Sequence, residues 1–123
     1  MSANGEAKAD TLERDIVDYF DFPPSFADAP NGYATAVSGT SMEPRYHPGE
    51  MIYVHPDKPV TVGSYVLVQV RTKAEGGPAQ ALIKRLAEKT GTRIVLEQFN
   101  PVRLFDIALN DVISMHRVVG SGE

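Results

Sequence analysis

Two side chains in this sequence have the chemistry of a nucleophile and of a base that could serve it. Ser41 lies in "SGTSMEPRYH" (residues 38 to 47), where a run of strand formers gives way to a turn. A polar turn with Gly39 and Pro44 is ordinary punctuation, but a serine lodged between a glycine turn and a methionine that reads as buried can also be an aimed nucleophile. Lys84 stands in "ALIKRL", 43 residues downstream. Strand alternation puts Leu82, Lys84 and Leu86 on one face and Ala81, Ile83 and Arg85 on the other. If the leucine face is the core side, burial disfavours the ammonium and favours the neutral amine, the form that takes a proton from a hydroxyl. Arg85 cannot do this, because a guanidinium stays protonated. The competing reading leaves Lys84 at a strand edge with its amine snorkelled into water.

Other chemistries fall away on spacing. His47, His55 and His116 show neither HxxxH nor HExxH spacing, so no metal site is expected and each is read as a turn or strand residue. A nucleophile elbow needs G-x-S-x-G, whereas Gly39-Thr40-Ser41 is followed by Met42 and Glu43. No phosphate-cradling G-x-x-x-x-G-K-[ST] or G-x-G-x-x-G is present, and no cofactor is implied. The absence of cysteine removes thiolate catalysis and disulfides, and fits a reducing cytoplasm.

The elements that must position these residues read as strands. A chain of 123 residues with 42% apolar content suits one domain with a core. After residue 30 the pattern is short runs rich in Val, Ile and Tyr between Gly, Pro, Asn and Asp, which predicts an all-β domain. The expected strands cover residues 33–38, 51–55, 65–71, 80–86, 92–98, 103–108 and 112–119. The segment from Leu12 to Phe20 suits a short helix or a strand; its aromatic and β-branched content and the Pro23-Pro24 stop favour an extended arm. "HPGE", "EGGP" and "KTGT" are turns, the last a tight hairpin at Gly91, and "FNPVR" holds Asn100 extended before Pro101, which suggests a crossing rather than a hairpin. The final run "VISMHRVV" is expected at a sheet edge, pairing with a second copy through apolar residues such as Val118.

Charge limits the partners. A net charge of −4, from 12 basic and 16 acidic residues without a basic cluster, argues against this chain gripping nucleic acid by itself. The apolar runs are too short to span a bilayer, and no membrane association is expected.

Together, "VSGTSMEPRYHPGEMIYVH" and the later "ALIKRL" closely resemble the Ser/Lys self-cleaving peptidase family of LexA, UmuD and many phage repressors, over about residues 14 to 120. The resemblance assigns Ser41 as nucleophile and Lys84 as its base. It implies a small curled, mostly-β domain related to that of signal peptidases, with the serine on a turn at the rim of a groove. "RIVLEQFNPVRLFDI" looks like the family's strand, Asn-centred crossing and next strand, and "DVISMHRVVGS" like the last strand, which contributes dimer contacts in relatives. Gly39 allows the sharp turn, Met42 anchors it in the core, Pro44 stiffens its exit, and the N–H groups of Thr40 and Ser41 are best placed to donate to an oxyanion.

Relatives cut themselves at Ala-Gly or Cys-Gly, and this sequence contains neither dipeptide. Asn4-Gly5, with Gly5 36 residues before Ser41, lies near where the scissile bond would fall. Residues 1–13 are accordingly expected to be the remnant of a hinge and 14–123 the peptidase and dimerisation domain, with a DNA-binding helix-turn-helix domain expected upstream. Three functions remain open: a self-cleaving domain of a LexA-like or phage-type repressor, a dimerisation module whose hinge is not cut, and a UmuD-like accessory subunit of a translesion polymerase. Resemblance alone implies a RecA-like filament as the inducing partner.

Overall fold

The computed structural model describes residues 16–21, as backbone, together with 31–71 and 79–122. Eight strands form one antiparallel sheet: β1 (Ile16–Asp21), β2 (Tyr33–Val37), β3 (Met51–His55), β4 (Tyr65–Val70), β5 (Gln80–Lys89), β6 (Arg93–Phe99), β7 (Val102–Ala108) and β8 (Val112–Gly122). Their order in the sheet is β1-β2-β3-β8-β4-β5-β6-β7, and a 3-10 turn at Leu109–Asp111 leads into β8. The protein is thus all-β among the described residues, and the segment ending in "DIVDYFD" contributes a strand.

Alternation in the central strands feeds two cores. Val66, Val68 and Val70 of β4 with Leu82 and Leu86 of β5 pack on Ile94, Leu96, Phe105 and Ile107. The intervening Leu67, Ala81 and Ile83 face the other way, onto Val37, Met42, Tyr46, Ile52 and Val54. A strand buried on both sides needs apolar residues at consecutive positions, which is why "YVLV" and "ALI" read as unbroken runs. The sheet curls enough that β1, an edge strand, approaches β5 although four strands separate them in order.

Two expectations are corrected. Asn100 and Pro101 form the corner of a hairpin, because β6 and β7 pair directly up to Phe99 and Val102. The Asn100-Pro101 peptide is cis. The last strand is not an edge. β8 is hydrogen-bonded on both sides, to β3 and to β4, and Val118 belongs to the core around Met42. Sequence alone offered no signal for that insertion, since an apolar run looks the same at an edge and at a centre. The "KTGT" hairpin joins β5 to β6 as expected, with Thr90 N–H donating to the Arg93 carbonyl at 2.9 Å. The "EGGP" turn, Asn4, Gly5 and the rest of the 1–13 segment lie outside the described residues.

Candidate active site

Ser41 is carried by the loop between β2 and β3, which is fastened at every stage. Val37 N–H donates to Glu50 O and Gly49 N–H to Val37 O, closing the loop's base at 2.9 and 2.8 Å. Gly39 has φ +80°, a backbone region that side chains rarely adopt, and turns the chain immediately before Thr40 and Ser41. Met42 then drops into the core, and both Arg45 and Tyr46 donate their N–H to its carbonyl. Pro44 follows Glu43 through a cis bond on the exposed side.

Aromatic packing fixes the same loop from below. The buried Tyr46 ring meets Tyr65 of β4 edge-on at 5.4 Å, and Tyr65 meets Phe99 of β6 at 6.2 Å. The Arg45 guanidinium lies 4.3 Å from the centre of the Tyr46 ring and 5.0 Å from that of Tyr65. Burial pushes the Tyr46 phenol up to about 12, against the opposing pull of Arg45. His47, expected to be a turn residue, serves the loop: its Nδ1 lies 3.0 Å from Glu43 Oε2, and its N–H donates to Glu50 Oε1. His116 contacts Tyr33 Oη through Nδ1 at 2.8 Å, and desolvation lowers its pKa.

The base candidate arrives from a different element. Lys84 is on β5, flanked by the fully buried Leu82 and Leu86, and is itself only 2% exposed, so the leucine face is the core side and the lysine does not snorkel. Its Nζ donates to Ser41 Oγ at 3.1 Å and lies 5.8 Å from the centre of the Phe105 ring. Arg85, on the opposite face, is engaged with Glu97 at 2.8 Å. The structure therefore brings together the two residues that sequence spacing singled out, from strands and turns 43 positions apart.

The β6–β7 corner completes the surroundings of Ser41. Phe99 N–H and Asn100 N–H donate to the Ser41 carbonyl at 3.1 and 2.9 Å, and Asn100 Nδ2 donates to the Thr40 carbonyl at 3.1 Å. Sequence reasoning named Asn100 only as a chain-direction signal. An asparagine before proline at a strand end gives no hint of which distant carbonyl its amide will reach.

Among the described residues no group of three or more His, Cys, Asp or Glu could hold a metal ion, and no helix is long and apolar enough to cross a membrane. A hydroxyl beside a buried amine constitutes a serine–lysine pair of the sort that supports acyl transfer. Comparison agrees in kind: residues 3–121 match the Peptidase S24-like family, and the chain belongs to it. The sequence is 36% identical over 110 residues to Repressor protein C of Rhizobium phage 16-3, an alignment covering 88% of this chain and 42% of that protein. The chain thus spans less than half the length of this relative. No solved structure matches it.

Proposed function

We propose that this domain is a Ser/Lys peptidase that cuts its own chain in the segment before β1, and that it does so as part of a phage-type transcriptional repressor. The observation that carries the reading is the 3.1 Å contact between Lys84 Nζ and Ser41 Oγ, with the amine buried among apolar side chains. When the amine is neutral the contact reverses, and the Ser41 hydroxyl donates to Nζ. Oγ then attacks a peptide carbonyl while its proton passes to Lys84. Lys84 returns a proton to the departing amine, and water releases the acyl group from Ser41.

The approach of β1 to β5 supports action on the domain's own N-terminal side, because the first strand after the hinge lies near the strand that carries the base. The bond cut is Asn4-Gly5. DNA binding belongs to an upstream helix-turn-helix domain, and two copies associate through the β8 side of the molecule. Cleavage separates the DNA-binding part from the part that pairs.

The test uses the full encoded chain. Slow self-cleavage at alkaline pH should produce a new terminus at Gly5 by mass spectrometry, and it should vanish in folded Ser41→Ala and Lys84→Ala variants. Asn-Gly bonds also break by spontaneous deamidation chemistry, so equal scission in wild type and Ser41→Ala would identify non-enzymatic breakage. No cleavage, together with no labelling of Ser41 by a reactive phosphonate, would leave a dimerisation module.

A further inference from the structure

The exposed corner between β6 and β7 does more than reverse the chain. The hairpin is closed by backbone pairing between Phe99 and Val102, and Gln98 Nε2 secures its far side by donating to the Pro101 carbonyl at 3.1 Å. The Asn100 amide takes no part in that closure. It reaches instead across 60 residues of sequence to the Thr40 carbonyl, in the peptide unit immediately before the nucleophile. We propose that Asn100 is a positioning residue for the reaction of Ser41, holding the peptide planes around the nucleophile so that their N–H groups face the developing oxyanion. The inference deepens the peptidase reading and rests on it.

The argument is geometric. Thr40 O accepts from Asn100 Nδ2 and from Glu43 N–H, each at 3.1 Å, and Ser41 O accepts from the N–H groups of Phe99 and Asn100. The peptides on either side of Ser41 are trans, and in a trans peptide the N–H points opposite to the carbonyl. Clamping the carbonyls of Thr40 and Ser41 toward the corner therefore turns the N–H groups of Ser41 and Met42 away from it. The Ser41 N–H, one of the two donors expected from sequence, lies in the plane that the Asn100 side chain holds. Oxyanion stabilisation depends on donors fixed before charge develops, and a plane free to rock loses part of it. Backbone bonds hold the second plane whatever residue occupies position 100. The first plane is held by the Asn100 side chain and by the turn's own bond from Glu43.

The test is labelling of Ser41 by a reactive phosphonate in the full encoded chain, measured as a maximal rate and a half-saturating concentration, with thermal unfolding and self-cleavage in parallel. Asn100→Ala should lower the maximal rate about tenfold, the effect of losing one well-placed hydrogen bond. Asn100→Asp, of matching shape, should lower it further, because a carboxylate oxygen would face the Thr40 carbonyl. Half-saturation and the melting temperature should stay at wild-type values in both, and so should the midpoint of the pH profile in Asn100→Ala, which adds no charge near Lys84. A maximal rate within about twofold of wild type in both variants overturns the proposal. So does a lost rate that follows a lost melting temperature in both, which would make Asn100 merely structural. A wild type that labels while both variants label equally well ends this inference and leaves the peptidase reading standing. A wild type that neither labels nor cleaves ends both.

Discussion

Replacing Lys84 with methionine should make the protein more stable and inert. The side chain is 2% exposed and lies between Leu82 and Leu86, with its amine near the Phe105 ring. An ammonium at such a site forfeits several kcal/mol of hydration that a hydroxyl partner such as Ser41 restores only in part. Methionine has nearly the same reach, fills the same slot and can place its sulfur against Phe105. The loss on the other side is the bond to Ser41, about 1 kcal/mol net, and it is softened because Ser41 is only half-buried and water can replace the partner. The balance is a gain of about 1–3 kcal/mol, in the range seen when buried charges are replaced by apolar residues of similar volume. For a chain of 123 residues about 1 kcal/mol moves the melting temperature by about 4 °C, so a rise of about 4–12 °C near neutral pH is expected. Scanning calorimetry of Lys84→Met beside wild type reads the shift, and phosphonate labelling should fall to background in the same sample. A melting temperature about 4 °C or more below wild type would refute the reasoning, because it would mean that the amine stabilises the fold on balance. Retained labelling would remove Lys84 from the chemistry altogether.

Lys84→Arg should abolish self-cleavage, since a guanidinium cannot accept the serine proton; an active Lys84→Arg would contradict this. His116 should make the fold sensitive to mild acid. Burial lowers its folded-state pKa from 6.5 while Asp57 partly opposes the shift, so the unfolded chain binds more protons and stability falls as pH drops below about 6.5. The dependence of melting temperature on pH should flatten in His116→Gln, and an unchanged slope would assign it to other groups. Dimerisation is best probed at Ile113, which is 46% exposed on β8. Sedimentation should show a dimer for wild type at micromolar concentration and the 13.4 kDa monomer for Ile113→Asp, with both folded; a wild-type monomer at high concentration would defeat the expectation.

The parts legible in the sequence were those governed by local rules. Period-two patterning located β3 at Met51–His55 to the residue, and the placement of Lys84 between Leu82 and Leu86 followed from the same rule. Gly39 before the nucleophile and Met42 beneath it were readable because a sharp turn and an anchored turn each ask for a residue type. Whether Lys84 was buried or snorkelled depended on what covered its face, and that cover comes from β6 and β7, through Ile94, Leu96 and Phe105. The order of strands was also beyond local pattern. β8 inserts between β3 and β4, and nothing in "VISMHRVV" distinguishes a centre from an edge. The Asn100 corner is hidden for a related reason: the bias of a residue before proline concerns that residue's own dihedrals and does not say whether the next strand pairs back on β6.

The central place of β8 also has a consequence for biosynthesis. The loop that bears Ser41 grows from β2 and β3, whereas Lys84 and the Asn100 clamp belong to β4–β7, and in the sheet the two groups of strands meet only across β8. A nascent chain that has passed residue 108 contains Ser41, Lys84 and Asn100, but not the strand that pairs with both β3 and β4. Emergence of Val112–Gly122 completes the sheet between β3, beside the Ser41 loop, and β4, which pairs with the strand that carries Lys84. On the proposed peptidase reading, a polypeptide arrested before that point carries Ser41 and Lys84 without the complete sheet that supports them.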